Sequence, residues 1–389
     1  MPPSRPPARS TPSRPPHPRA RRRRGRWAWA ALASLAGLWW ALRSAPPAWI
    51  DDVWAHRYLP PLSHATAALA DALPWSLTLL GAVALLVGVV ALALAGPGGS
   101  RSARLAWAAV PLLALGPAFE LAWGLGYRRT PLETRLGLPT AAPTADAAWG
   151  ALDHLLAVAI DSAPSDERRV ALDAPWSTAA VAAGSACVAS ADAHASGRAA
   201  ALRLPSGVRR LPAGLLLQGG SGGVQLPWWR EPHVDGGLPP AAALATALHE
   251  FAHAAGWARE AETDALAVLA GLACPDPEVR FAAALHGLLR VRSELGRAVH
   301  DDEGWRAVLA ARWATLPPAA GAAWAATSAA LARHRSAPVA RVATAAYDTY
   351  LRSQGVTAGM ADYDRAGVVL VAALAGCATD GSAPWCAPP

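Results

Sequence analysis

Lysine and asparagine are absent from this 389-residue chain, and Phe, Met and Tyr occur only three, two and five times. Alanine, arginine, proline and glycine abound in their place, the pattern of a GC-rich coding sequence. Alanine standing in for larger apolar residues blurs hydrophobic periodicity, so helix boundaries must be read from glycine and proline punctuation. Cysteine is scarce: Cys187, Cys274, Cys377 and Cys386 form no CxxC pair, which argues against a cysteine-ligated structural zinc site. Acidic residues are missing from the first 26 positions, where nine arginines stand alone. The other 26 arginines face 28 Asp and Glu, so the formal charge of +7 comes wholly from this tail. A short Pro-rich tail is too little to carry nucleic-acid binding, and none is expected.

Residues 1–26, rich in Pro, Ser and Arg, cannot bury a core and are expected to be disordered. Three apolar stretches then form an expected membrane anchor over 27–124. Trp75–Ala95 is the clearest span, 21 residues without a charge. Trp27–Leu42 is only sixteen residues long, but Trp39 and Trp40 suit an interfacial belt and no small-residue cleavage pattern follows. It therefore reads as a retained first span. The third, about 105–123, holds Pro111, Pro117 and Glu120; Glu120 lies near its end and is expected to be wet. Between the first two, Arg43–Pro74 reads as a loop with a short amphipathic segment. The arginine-rich tail and the Arg101/Arg104 turn mark the cytoplasmic side, so three spans place residues 125–389 outside. There the even cysteine count permits disulfides. Cys377 with Cys386 would close a short loop, while Cys274 reads equally well as a buried free thiol.

The outer domain reads as mostly helical, with helices expected at 145–160, 165–172, 241–255, 258–273, 278–299, 303–316, 319–334, 338–353 and 361–376. A Gly/Ala/Ser-rich region runs to about 201, and one or two short strands are expected around Val224–Gln225–Leu226. Trp228 and Trp229 read as packing residues, His233 as a surface-loop histidine, and His286, His300 and His334 have no partner pattern.

Chemistry concentrates between Ala241 and Cys274. HEFAH puts His249 and His253 one turn apart on one helical face with Glu250 beside them, the arrangement by which one helix offers two imidazoles to zinc and a carboxylate to water. Gly256 supplies a helix stop, and REAETD opens a second helix. Glu260 and Glu262 are both candidate third ligands, but residues two apart on a helix point about 200° apart. Glu260 is preferred because Asp264 stands one turn on, where it could orient a ligand histidine. Glu262 is then a solvated charge. Arg259 occupies the place of the third histidine in HExxHxxGxxH, which argues against that subclass.

Three segments resemble the bacterial membrane proteins of domain-of-unknown-function family 3810, which themselves look like gluzincin-type zinc peptidases. They are WGLGYRRTPLETRLGL from Trp123, HEFAHAAGWAREAETDALAVLA from His249, and AAYDTYLRSQGVTAGMADYDRAGVVL from Ala345. The likeness spans most of 27–376. Where the family usually has Asn, this chain has Asp264, and either side chain accepts a histidine N–H. The resemblance implies a zincin-like domain but names no substrate. Tyr347, Tyr350 and Tyr363 become candidates for a transition-state hydrogen bond, with packing the favoured role.

The expected protein is mainly α, with three transmembrane helices followed by a mostly helical zincin-like domain that carries a short strand region before the HExxH helix. The expected activity is a membrane-anchored zinc metallopeptidase acting on a peptide or protein substrate: His249, His253 and Glu260 bind Zn2+, and Glu250 is the general base. Two alternatives stand beside it, a non-enzymatic sensor or scaffold with a structural or vestigial site, and an enzyme cleaving amides in cell-wall peptides.

Overall fold

A computed structural model describes residues 18–97, 100–139, 141–299, 304–379, 381 and 383–386. His300 and the first 17 residues of the expected disordered tail lie outside these. The chain is mainly helical and divides into two compact units, Met1–Leu42 with Gly81–Ala118, and Arg43–Leu80 with Phe119–Pro389.

In the first unit, α1 (Pro18–Arg43) starts earlier than expected, so residues 18–26 are helical rather than irregular. Among the described residues only two helices are long and apolar enough to cross a membrane, Leu77–Ala95 and Arg101–Ala122. The expected first span is not one of them. Its sixteen apolar residues rise about 24 Å, short of the roughly 30 Å hydrocarbon layer, and the helix leading into them is arginine-rich.

The second unit contains a difference from expectation at Arg43–Pro74, which is helical and packed rather than a loop. A π-helical turn (Ile50–Tyr58) runs into α2 (Leu59–Ala72), whose Pro60 and Pro61 sit in its first turn, where missing N–H groups cost nothing. Ile50, Trp54 and Leu59 are fully buried, and Trp54 Nε1 donates to the Leu121 carbonyl at 2.6 Å. Helix α3 (Leu77–Ala95) is capped by Ser76 Oγ, and α4 (Arg101–Ala122) follows. Glu120 near its end is not wet. It is fully buried, with Arg43 at 3.2 Å and Arg128 at 3.1 Å on its two oxygens, as a buried carboxylate requires.

Beyond α4 come α5 (Ala145–Asp161) and α6 (Thr178–Ser196). The stretch expected as helix at 165–172 is only a 3-10 turn, Glu167–Val170. Conversely, the Gly/Ala/Ser-rich region is helix α6, capped by Ser177 and stopped by left-handed Gly197. Three short strands form one sheet in the order β1–β3–β2: β1 (Arg209–Leu211) is parallel to β3 (Glu231–Asp235), and β2 (Gly223–Leu226) is antiparallel to it. His233 is therefore not a loop histidine; it lies in β3 and is buried. Helices α7 (Pro240–Ala254), α8 (Glu260–Leu272), α9 (Pro277–Ala298), α10 (Trp305–Trp313), α11 (Pro318–His334), α12 (Ala337–Ser353) and α13 (Arg365–Thr379) complete the chain.

Helix α8 is the centre of the bundle, with every residue buried. A helix buried on all sides is normally apolar all round, yet this one carries Glu260, Glu262 and Asp264. Each of those carboxylates needs a partner, and meeting that need builds the site.

Both cysteine pairs are joined, Cys187 with Cys274 and Cys377 with Cys386, so Cys274 is not a free thiol. The first bridge ties α6 to the end of α8 across 87 residues, the second spans nine. Loop-closure entropy makes the long bridge worth roughly 4–5 kcal/mol and the short one about 2–3. Urea unfolding of the Cys187→Ala/Cys274→Ala variant is therefore expected to show the larger stability loss, compared with Cys377→Ala/Cys386→Ala.

Candidate metal centre

Helix α7 begins on Pro240 and runs without a glycine or internal proline to Ala254. The chain then reverses at Gly256, whose φ of 95° lies in the left-handed region open to glycine. Two buried guanidinium groups hold this turn. Arg230 donates to the Ala254 and Ala122 carbonyls. Arg129 donates to the Gly256 carbonyl at 3.2 Å and lies over the Trp257 ring at 4.1 Å. Cations at a helix C-terminus are favoured by the helix dipole. The result is a fixed angle between α7 and α8.

That angle brings His249, His253 and Glu260 together as a group that could hold a metal ion. His249 Nε2 lies 3.1 Å from His253 Nε2 and 3.1 Å from Glu260 Oε2, and His253 Nε2 lies 3.4 Å from the same oxygen. Donors placed 2.0–2.1 Å from one tetrahedral ion stand roughly 3.3–3.4 Å apart, so the spacing fits. Each imidazole is oriented through its other nitrogen: His253 Nδ1 is 2.7 Å from the Trp257 carbonyl, and His249 Nδ1 is 3.3 Å from Asp264 Oδ1. Such contacts fix the tautomer and aim Nε2 at the centre. Asp264 is itself held by His286 Nε2 at 2.7 Å and Arg290 Nε at 2.6 Å. The Trp123 ring packs on His253, with centroids 4.8 Å apart.

The electrostatics favour a cation. Burial pushes His249 toward its neutral form, but hydrogen bonds to Asp264 and Glu260 outweigh it and raise its pKa to about 10. Burial would raise Glu260, but the two histidines hold it well below the ordinary carboxylate range. Asp264 is likewise depressed, its burial outweighed by His286, His249 and Arg290. Glu250 differs. Burial raises it to about 7 despite the two histidines, and its Oε2 is buried without a hydrogen-bond partner.

Several residues arrive that local sequence could not assign. The Tyr347 hydroxyl donates to Glu260 Oε1, so for this residue the favoured packing role is incomplete, and burial together with the Glu260 charge holds the Tyr363 hydroxyl well above its ordinary pKa. Tyr350 does pack, stacked on Tyr347 with ring centroids 5.7 Å apart. Glu262 is not solvated. It is 2% exposed, lies 3.5 Å from Arg259, and is raised by burial to about 7. It stands outside the metal-holding group, as does His233. Strand β2 passes beside Glu250: a Cβ at Gly223 would meet Glu250 Oε1 at 2.7 Å and Thr246 Cγ2 at 2.6 Å, so only glycine allows the approach. Two residues on, and so on the same strand face, the Gln225 amide is buried with neither polar atom partnered.

Comparison with curated proteins and with solved structures finds no significant match. One family model does match, over residues 59–371, a span that covers most of the chain and takes in the whole metal-holding group; it begins later than the likeness expected from residue 27. The chain therefore belongs to the family described as protein of unknown function DUF3810.

Proposed function

We propose that this protein is a membrane-anchored zinc metallopeptidase with a gluzincin-like centre outside the cytoplasm. The observation that carries the reading is the convergence of His249, His253 and Glu260 beside an unpartnered, buried Glu250 carboxylate. Two imidazoles and one carboxylate are a borderline donor set suited to zinc, and three protein ligands leave a position open, as catalysis needs. Bound there, zinc supplies Lewis acidity toward water and a scissile carbonyl.

The remaining work falls to the chain's own side chains. Glu250 Oε2, buried and without a hydrogen-bond partner of its own, takes a proton from water and returns it to the leaving amine. Asp264 and the Trp257 carbonyl keep the imidazoles in one tautomer. Tyr347 holds the other carboxylate oxygen of Glu260, Oε1, in place by hydrogen bonding. Strand β2 lies at one side of the sheet beside Glu250, where an extended substrate could pair with its backbone.

Two lines of support bear on topology. Disulfides persist in oxidising compartments, and both bridges belong to the unit that carries the metal centre. Arg101 and Arg104 follow the turn between α3 and α4, which favours the cytoplasmic side for that turn and the opposite side for Arg43–Ser76 and the domain.

The test is metal removal. A chelator is expected to stop cleavage of a randomised peptide library by the purified full-length protein, and zinc to restore it. Cleavage that survives complete removal of metal would sink the proposal.

A further inference from the structure

Two adjacent residues hold the ends of both membrane helices. Arg230 donates to the carbonyl of Ala122, the last residue of α4, at 2.7 Å, and with its other terminal nitrogen to Ala254, the last residue of α7. Glu231 accepts from Ser76 Oγ, the cap of α3, at 2.9 Å, and from the Thr78 amide in the first turn at 3.4 Å. Its other oxygen is held by Arg209 Nε at 2.5 Å, and His233 Nε2 lies 3.0 Å from Ser76 Oγ. A cation on a helix C-terminus and a carboxylate on a helix N-terminus are the pairings that the helix dipole rewards. Arg230 and Glu231 are each 1% exposed, so little water weakens them.

The metal helix is thus fastened by a single side chain to the point where the last membrane helix stops. The next residue, Trp123, already lies against the ligand His253. One residue separates the end of a membrane helix from the candidate metal centre. The headgroup layer is roughly 5–8 Å deep on each face of a bilayer, about the reach of an indole ring and an imidazole in contact. Aromatic residues suited to that layer stand free on the same unit: Trp75, just before α3, is 64% exposed, and Trp49 and Tyr58 are exposed as well.

Resting on the peptidase reading above, we infer that the centre works at the bilayer surface on polypeptides that carry their own lipid or transmembrane anchor, cutting them close to it. A substrate tethered in the same membrane meets the centre at high effective concentration only if the scissile bond lies near its anchor. A centre standing clear of the membrane would demand a long spacer instead.

The test uses full-length protein in liposomes, with a randomised fluorogenic peptide joined to phospholipid through flexible spacers at constant surface density. Lengthening the spacer from about 6 to about 36 residues is expected to slow cleavage about fifteenfold, because effective concentration falls roughly as the −3/2 power of tether length. Equal rates at all lengths, or rates that rise with length, would overturn the surface-site inference while leaving the peptidase reading intact. Failure to cleave any conjugate or the free library in the presence of zinc would instead overturn the peptidase reading, and this inference with it. Glu250→Gln protein serves as the blank in every arm.

Discussion

Glu250→Gln is expected to abolish measurable peptide hydrolysis while the protein keeps about one metal ion per chain. General acid–base groups contribute about 10²–10⁴ in rate, and here a single carboxyl would perform both proton transfers. Glutamine preserves its volume and one acceptor oxygen but cannot take a proton. The substitution touches none of the three metal-holding side chains, and Glu250 itself has an oxygen with no partner to lose. Fold and metal content should therefore survive, as read by circular dichroism and elemental analysis. Hydrolysis at the parent rate would remove Glu250 from the mechanism. Loss of metal together with activity would show that the side chain holds the centre rather than serving it.

Glu260 and Glu262 make the second contrast. Glu260→Ala is expected to empty the site, because it removes the carboxylate that lies 3.1 and 3.4 Å from the two imidazoles. Two of three protein ligands would remain, and the Tyr347 hydroxyl that bonded that carboxylate would lose its acceptor. Glu262→Gln should keep both metal and activity, since Glu262 is paired with Arg259 away from the centre and is already raised toward its neutral form. Metal stoichiometry of the two purified variants decides the matter. Equal retention, or the reverse order, would mean that α8 presents a different face to α7.

The contrast also marks what could be read before the structure. The pairing of His249 with His253 rested on helical geometry, and the choice of Glu260 over Glu262 on that geometry together with Asp264 one turn on; the structure brings that trio together. The burial of Glu262 could not be seen in the same way. In an alanine-rich helix with no polar face to speak of, nothing local distinguishes a solvated acid from one enclosed on all sides. His286 and Arg290 reach Asp264 from α9, and Tyr347 reaches Glu260 from 87 positions away, so only the tertiary fold supplies them. Each was an ordinary residue on an ordinary helix until packing gave it a partner.

The segments around the two long apolar helices show the same limit. Charge-free Trp75–Ala95 announced α3, but the prolines of Arg43–Pro74 suggested a loop when they begin a helix. Glu120 looked wet because its partners, Arg43 and Arg128, lie 77 positions before it and eight after it. Composition marked the apolar runs. It could not mark Arg230, which ties the end of α4 to the end of α7.

The central claim is that His249, His253 and Glu260 converge on one divalent ion. Zinc X-ray absorption on the purified full-length protein tests it most directly. The account predicts about one zinc per chain, with a first shell of two imidazole nitrogens at about 2.0–2.1 Å, oxygen in the remaining positions and no sulfur. A protein that binds no metal, or one that keeps an unchanged zinc spectrum in a His249→Ala/His253→Ala variant, would contradict it.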